Sequence, residues 1–274
     1  RTVARSEMRE LRRQPGLYIF VPLILLQSLG NVLLAYGAFD TPLLLTPGNS
    51  SVAVANQCSV FVCLLLMFYI TESLERERST GFAQLLFSTP LGTGAFLAGK
   101  TLANGVVAVL VLLGSLIACW IAIAVQHTVS FSLTPYLMTW GLLMTPTFLA
   151  WSAFVLFVYA ATGNRYGSYV LSLGAMMFTG YKALTGGISW AGNWPLFGVM
   201  RWSDLGFFET DRVAVLVNRV GTLGLGLFFF VLAVRLFRRR GADAVRTMHR
   251  LAPGRLARSA AWMLPYAIVP TACA

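Results

Sequence analysis

Residues Glu72 to Lys100 read ESLERERSTGFAQLLFSTPLGTGAFLAGK and form the longest charged, turn-punctuated segment between two apolar runs. The runs are Val52 to Thr71 before it and Thr101 to Val125 after it. An α-helix rises about 1.5 Å per residue and the core of a bilayer is about 30 Å thick, so each run can cross a membrane. The charged segment cannot lie in hydrocarbon, because its charges would lose their hydration. The pattern therefore predicts two membrane spans joined by a structured element at the membrane surface.

Composition indicates the same class of protein. Of the 274 residues, 57% are hydrophobic and only 11% are charged, which is too apolar for a single water-soluble domain of this length. The formal net charge is +11, but the basic residues lie in the flanks and loops of apolar runs rather than among aromatic residues on a polar face. This placement indicates contact with anionic membrane lipids and argues against a nucleic-acid partner.

The sequence predicts an all-α polytopic membrane protein with six transmembrane helices. An arginine-rich segment from Thr2 to Arg13 is predicted to be a helix in the membrane interface, and Pro15 and Gly16 separate it from the first span. The second span is predicted to continue as a helix into the charged residues Glu72 to Arg78. Six spans place both ends of the unit on one side. The predicted spans are Leu17–Ala38, Val52–Thr71, Thr101–Val125, Leu137–Ala161, Tyr166–Leu184 and Arg219–Phe237.

Lysine and arginine residues are distributed unevenly between the two sides of this layout. Only four of the 21 lie outside or near the outer ends of the spans, namely Lys182, Arg201, Arg212 and Arg219. Because cytoplasmic loops carry the excess of basic residues, both ends and the segment at 72–100 are predicted to be cytoplasmic. A bacterial inner membrane is the expected location.

Two units are predicted along the chain. Residues 1–240 form the six-span domain, and residues 241–274 form a basic cytoplasmic segment that leads into an apolar segment. The apolar part, from Ala260 to Ala274, would give about 22 Å of helix and is too short to span. We therefore expect the natural chain to continue beyond it.

The segment at 72–100 divides into three parts. A charged helical extension at 72–80 is followed by a short amphipathic part at 82–88 and a turn at Thr89 and Pro90 that re-enters the membrane. The amphipathic part is predicted to be a cytoplasmic coupling helix. The alternative is an ordinary cytoplasmic loop with a helix lying on the membrane surface, and the residues alone leave both open.

An apolar ridge distinguishes the coupling interpretation. Phe82, Leu85 and Leu86 fall at positions i, i+3 and i+4, so they share one face of a helical turn. Such a ridge could dock into a groove of another protein. Glu75 and Glu77 could pair with a basic surface of that partner.

Residues Gly94 to Thr101 match the letters of a phosphate-binding loop, G-x-x-x-x-G-K-[ST]. A phosphate loop needs a buried strand before it and a flexible loop whose amides converge on phosphate. Here the four intervening residues are Ala, Phe, Leu and Ala, and a long apolar span follows. We therefore expect no nucleotide or other cofactor in this chain.

Candidates for catalysis and metal binding are few. The sequence has no H-E-x-x-H and no G-x-S-x-G, and its two histidines, His127 and His249, lie near an outer span end and in the basic tail. The cysteines fall inside apolar runs without metal-type spacing and are predicted to be small core residues: Cys58, Cys63, Cys119 and Cys273. Neither a catalytic residue nor a metal ligand is predicted.

Three polar residues, Gln27, Ser28 and Asn31, cluster within the first predicted span. In hydrocarbon such side chains face protein or water. They predict either a helix–helix contact or a polar surface of a translocation path.

Three runs in the charged segment resemble the signature of membrane-spanning permease subunits of type-2 ABC exporters: Glu75-Arg-Glu77-Arg-Ser-Thr-Gly81, Gln84-Leu-Leu-Phe-Ser-Thr-Pro90-Leu and Phe96-Leu-Ala-Gly99-Lys100. In that family a glutamate-rich segment leads into a Leu-Leu-x-(Ser/Thr)-Pro turn and then a Gly-Lys at the third span. Gln84 departs from the pattern, because family members often carry glutamate there. A weaker resemblance, at Arg201–Glu209 and Leu216–Arg219, is to the first half of double-length permeases.

The resemblance implies an exporter half without a nucleotide site. ATP and magnesium would be bound by a separate ABC ATPase subunit, and a second permease half, either a second copy or a paired half, would complete the transporter. The residues implied to couple to the ATPase are Glu75, Glu77, Gly81, Phe82, Gln84, Leu85, Leu86 and Pro90.

The sequence thus predicts a permease subunit of an ATP-driven exporter. The apolar runs lack Asp and Glu at their centres, which argues against an ion or proton path and fits an amphiphilic cargo better. The alternative is a non-transporting membrane sensor or assembly protein that uses the segment at 72–100 to bind a partner.

Overall fold

The structure is a computed structural model that describes residues 15–33, 44–79, 92–127, 129–189, 192–196, 202 and 212–237. The predicted all-α fold is confirmed for this part of the chain, which contains helices and no strand. The predicted elements at 2–13, 82–88 and 241–274 lie outside the described residues. The helices are α1 Pro15–Leu33, α2 Pro47–Ser79, α3 Thr93–Gln126, α4 Thr134–Thr162, α5 Arg165–Leu184 and α6 Arg212–Leu236.

Four of these helices are long and apolar enough to cross a membrane by length and composition. Their apolar stretches are Pro47–Glu77, Thr93–Gln126, Thr134–Thr162 and Arg212–Leu236. The helix α5 coincides with the fifth predicted span, and α1 covers the first predicted span as far as Leu33, after which residues 34–43 lie outside the described part. The full six-span layout stays a prediction.

Helix boundaries differ from the prediction at several places, and α2 begins at Pro47 rather than at Val52. The helix α2 continues from its apolar part to Ser79, which confirms the predicted charged extension. In contrast, α3 begins at Thr93 rather than at Thr101, because the residues between them, including Phe96 and Leu97, already pack in the core. Likewise, α6 begins at Arg212 rather than Arg219, since valines and alanine extend its apolar pattern towards the chain start.

The helix α4 changes its winding in its first half. Residues Leu137–Met144 form π-helical turns, and α-helical turns follow from Thr145. The Trp140 indole nitrogen donates to the Ser51 carbonyl oxygen at 2.9 Å, which fixes the wide turns against α2. Such π-helical turns are rare and frequently lie at functional sites.

The helix α4 is also the centre of the packing, because it contacts α2, α5 and α6. Its contact with α6 is the most extensive, and Gly226 permits it: a Cβ atom there would meet the Ala150 Cα at 2.9 Å. The helix α1 packs mainly on α3, where Gly114 lies against Leu25. By contrast, α5 and α6 flank α4 with few or no contacts between each other.

The helix ends lie on two sides of the bundle. The Leu45 backbone N–H donates to the Gln126 side-chain oxygen at 3.0 Å, so the start of α2 lies beside the end of α3. The rings of Phe96 and Phe237 have centres 5.8 Å apart, so the start of α3 lies beside the end of α6. We call the first the outer side and the second the inner side, after the orientation that the charges predict.

Apolar side chains are distributed as in a membrane protein. Large side chains such as Leu102, Val170 and Met177 are exposed on the outward faces of α3 and α5, where lipid would cover them. The cysteines Cys58, Cys63 and Cys119 are buried, as predicted, and Cys273 lies outside the described residues.

Candidate functional site

Lys100 is buried near the start of α3. Its ammonium group donates to the Ser73 carbonyl oxygen at 2.9 Å and to the Ser73 hydroxyl at 2.8 Å, and it forms an ion pair with Glu77 Oε1 at 2.8 Å. It also lies 5.3 Å from the centre of the Phe96 ring. An ammonium group carries three N–H donors, and a buried charge is stable when it is paired and hydrogen-bonded. Lys100 therefore joins the start of α3 to the charged end of α2.

The same residues belong to the apparent phosphate-loop motif. Gly94 to Thr101 lie inside the helix α3, so their backbone does not form a loop around an anion. Phe96 and Leu97 are buried, and the Thr101 hydroxyl donates to the Leu97 carbonyl oxygen at 2.9 Å. These residues make a helix–helix contact here.

Two more carboxylates of α2 bind tyrosines on neighbouring helices. The Tyr159 hydroxyl of α4 donates to Glu75 Oε2 at 2.8 Å, and the Tyr169 hydroxyl of α5 donates to Glu72 Oε1 at 2.8 Å. Together with the ion pair to α3, three carboxylates of one helix end contact three different helices. We call this set the acidic clasp: Glu72, Glu75, Glu77, Lys100, Tyr159 and Tyr169.

The spacing of the acidic residues on α2 explains how one helix end reaches three neighbours. With 3.6 residues per turn, positions 72, 75 and 77 point in different directions around the helix axis. Carboxylates near a helix C-terminus are unfavourable by about 0.3–1 kcal/mol, because the helix dipole is negative there. The ion pair of Glu77 with Lys100 offsets this effect.

An open cleft of about 500 Å³ adjoins the acidic clasp on the inner side. Its walls are the end of α2 and the turn between α4 and α5, where Asn164 caps α5 by accepting the Tyr166 N–H at 3.0 Å. The lining carries both signs of charge, so it does not select a simple anion or cation. Ser79, the last described residue of α2, lies in the lining of this cleft. The lining residues are Glu72, Glu75, Arg76, Ser79, Asn164, Arg165 and Tyr166.

Of the residues implied to couple to an ATPase, the structure describes Glu75 and Glu77. Both carboxylates have partners within the chain, Tyr159 and Lys100. The other six, namely Gly81, Phe82, Gln84, Leu85, Leu86 and Pro90, lie outside the described residues, and coupling stays a prediction.

The polar group predicted in the first span is described only in part. Gln27 is exposed on α1. The side chains of Ser28 and Asn31 lie outside the described part of the chain. The choice between a helix contact and a translocation surface therefore stays open.

A second buried cation lies towards the outer side. Arg219 of α6 donates to the Leu143 carbonyl oxygen at 2.9 Å and to the Thr147 hydroxyl at 2.8 Å, both in α4. It also donates to the Trp194 carbonyl oxygen at 3.0 Å and, through Nε, to the Asn218 side-chain oxygen at 3.0 Å. No carboxylate in the described part of the chain lies within ion-pair distance of it. The sequence prediction treated Arg219 as a boundary residue, although an arginine beside an apolar run is the signal for such a site.

Comparison with known proteins decides the family. A family model described as ABC-2 family transporter protein matches residues 4–182, which include the acidic clasp. This chain belongs to the ABC-2 transporter family. The ABC-2 match confirms the resemblance seen in the segment at 72–100 and makes the chain an integral membrane permease. The partner of an ABC-2 permease is in general an ABC ATPase.

No individually curated protein gives a significant match to this ABC-2 permease. In the part that the structure describes, no group of three or more His, Cys, Asp or Glu side chains could hold a metal ion.

Proposed function

We propose that this ABC-2 permease is the membrane half of an ATP-driven exporter, and that its ATPase acts on the spans through the segment at 80–91. The observation that supports the proposal is the acidic clasp. The helix α2 leads directly into that segment, and its last charged turns contact α3, α4 and α5. A displacement of the segment would therefore reach three helices at once.

The mechanism is a shift between two packings of the spans. ATP and magnesium bind to the partner ATPase, whose closure pushes the segment at 80–91 and, with it, the end of α2. An α-helix transmits such a push along its axis because its backbone hydrogen bonds keep it stiff. The permease contributes the lever and the passage.

The strengths of the clasp contacts decide which of them yield. Removing one partner of a buried ion pair costs about 3–5 kcal/mol, because the other charge is left uncompensated. The Glu77–Lys100 pair therefore resists separation and keeps α3 moving with α2. A hydrogen bond to a charged group contributes only about 1.5–3 kcal/mol, and the half-buried Glu72 and Glu75 can exchange it for water. The hydrogen bonds from Tyr159 and Tyr169 therefore break first, and α4 and α5 slide against the α2–α3 pair.

The assembly follows from the same proposal. A second permease half, either another copy or a paired half, completes the passage, and lipid surrounds the exposed faces of α3 and α5. The inner side faces the cytoplasm of a bacterial cell, where the ATPase and its nucleotide are found.

The test is co-purification of the ATPase with matched leucine variants. Leu85→Asp places a charge in the predicted apolar ridge, and Leu44→Asp places the same charge at a leucine that is 54% exposed near the start of α2, on the outer side. We expect a subunit with ATP-hydrolysing activity to co-purify with the wild type and Leu44→Asp and to be lost from Leu85→Asp. ATP-dependent export should follow the same pattern.

Two results would contradict the proposal. Equal recovery of the ATPase with both leucine variants would remove the segment at 80–91 from the coupling surface. A wild-type permease that binds no ATPase would instead favour a membrane sensor or assembly protein.

A further inference from the structure

An apolar cavity of about 190 Å³ lies between α4, α5 and α6. Trp151 and Phe154 of α4, Thr179 of α5 and Phe229 of α6 form its walls. Trp194, from the segment that precedes α6, also lines the cavity and stacks on Trp151, with ring centres 5.4 Å apart and planes 2° from parallel. Four of the eight lining residues are aromatic, three are aliphatic (Ala150, Ala175 and Leu225), and Thr179 adds one hydroxyl.

The wall of the cavity between α5 and α6 is incomplete in the described part of the chain. The helices α5 and α6 both pack on α4 but make few or no contacts with each other, so the wall between them is incomplete. Both helices carry exposed apolar side chains on their outward faces, including Val170, Met177 and Val220. A chain in the surrounding lipid can therefore reach the cavity without crossing water.

Buried polar contacts hold Trp194 in place. The Trp194 carbonyl oxygen accepts hydrogen bonds from Arg219 at 3.0 Å and from the Thr147 hydroxyl at 2.9 Å. Arg219 and Thr147 are each only 2% exposed. The cavity is thus a preformed site, as ligand pockets usually are, rather than a gap left by loose packing.

Lys182 follows the cavity wall of α5 by about one turn, towards the outer side. Ala175, Thr179 and Lys182 follow the i, i+4, i+7 pattern of one helix face, and the first two line the cavity. Helical side chains lean towards the helix N-terminus, so Lys182 leans back towards Thr179. Its ammonium group lies 5.8 Å from the centre of the Phe178 ring, one turn earlier. No carboxylate in the described residues forms an ion pair with it.

We propose that this cavity binds the apolar chain of an anionic amphiphile and that Lys182 pairs with the headgroup. An apolar cavity of about 150 Å³ stays dry and binds benzene, so a volume of 190 Å³ admits a ring or the end of an alkyl chain. It is smaller than the roughly 300–1,000 Å³ of pockets that hold whole drug-sized ligands. The bound amphiphile is the exporter's cargo, and this last assignment rests on the proposed function; binding itself does not.

The cavity is tested by photo-crosslinking of the purified full chain in phosphatidylcholine nanodiscs. The probe is palmitic acid with a diazirine near the end of its chain, and labelled residues are mapped by mass spectrometry. Ala175→Trp fills the cavity, whereas Met177→Trp places the same ring on the neighbouring lipid-facing surface, which is 69% exposed. We expect labelling of Trp151 and Phe229 to disappear in Ala175→Trp and to persist in Met177→Trp. Excess unlabelled palmitate should suppress it in the wild type, which keeps the test valid if Ala175→Trp misfolds.

Three results would overturn the cavity site. They are equal labelling in both tryptophan variants, labelling that palmitate does not compete away, and no label at the cavity of the wild type. The last would show that a second copy or another part of the chain covers the opening.

The headgroup assignment is tested by competition in Lys182→Gln and Lys182→Arg. We expect palmitate to compete about fivefold less well in the Gln variant and normally in the Arg variant, since a partly exposed ion pair has about this effect. Hexadecanol, which lacks the charge, should compete equally in all three proteins, and lysophosphatidic acid distinguishes a phosphate from a carboxylate headgroup. Unchanged palmitate competition in Lys182→Gln would remove the headgroup role. The assay contains no ATPase, so its failure and the failure of the coupling proposal are separate results.

Discussion

Lys100 and Arg219 are both buried cations, one towards each side of the bundle, and they are stabilised in different ways. Lys100 meets a carboxylate, so it forms a neutral pair with Glu77 between α2 and α3. Arg219 meets only neutral oxygens in the described residues and spreads its donors over α4, α6 and the segment at 192–196. The inner side is therefore joined by three separate pairs: Glu77 with Lys100, Glu75 with Tyr159 and Glu72 with Tyr169. The outer side depends on one centre, which also positions Trp194.

The largest effect is expected from Arg219→Met. The change removes the donors for the Leu143 and Trp194 carbonyl oxygens and for the Thr147 hydroxyl. A hydrogen bond to a charged group contributes about 1.5–3 kcal/mol. Thr147 still donates to the Trp194 carbonyl oxygen in the variant, so we expect a loss of roughly 3–6 kcal/mol of unfolding free energy. Thermal unfolding of the purified protein in detergent measures it.

Arg212→Met is the matched control. Arg212 is exposed in the first turn of the same helix, and its replacement should change stability by less than about 0.5 kcal/mol. Similar unfolding temperatures for both variants would mean that Arg219 is not the centre of the outer side.

A smaller effect, which a second substitution should reverse, is expected from the ion pair on the inner side. Glu77→Gln leaves Lys100 as an uncompensated buried charge, and we expect a loss of about 3 kcal/mol, at the low end for a buried pair because Glu77 is 15% exposed. Adding Lys100→Met removes that charge, so the double variant should recover most of the lost stability. A double-mutant cycle by thermal unfolding measures the coupling. Additive losses in the double variant would show that the two groups do not act as a pair.

Hydropathy was sufficient to predict the helices but not the positions of the buried charges. The charged end of α2 could be predicted because an apolar helix has no reason to stop before its first breaker. The start of α6 was placed too late, because tryptophans and glycines made the preceding region look wholly irregular. The π-helical turns of Leu137–Met144 were not predicted, and Trp140 within them donates to the Ser51 carbonyl oxygen of α2.

The site contacts were harder still. In the sequence Lys100 is the lysine of an apparent nucleotide-binding motif. In the structure its ammonium group binds Ser73, 27 residues away on another helix. The pairing of Glu75 with Tyr159 joins residues 84 positions apart. Such contacts arise from the packing of α2 against its neighbours. A single sequence does not show which residues of two packed helices lie opposite each other. The acidic pattern predicted a coupling role for the segment at 72–100, but it did not predict that its carboxylates bind side chains within the chain.

The smallest effect is expected from replacing an asparagine beside each cation. The change in stability should have opposite signs on the two sides. Asn104 lies one turn beyond Lys100 on α3, is fully buried, and has no hydrogen-bond partner among the described residues. Asn104→Leu removes an unsatisfied amide and should stabilise the protein by about 1 kcal/mol. Asn218 accepts a hydrogen bond from Arg219, so Asn218→Leu should destabilise it by about 1.5–3 kcal/mol.

Transport measurements test whether the buried amide of Asn104 acts in the transport cycle. An amide that destabilises one packing of the spans has a role in transport if it finds a hydrogen-bond partner in a second packing. In that case Asn104→Leu raises the unfolding temperature and lowers ATP-dependent export, because it stabilises one packing over the other. Raised stability with full export would make Asn104 a structural cost without a role in the cycle. Lowered stability would show that its amide is already paired, and the contrast between the two sides would have to be abandoned.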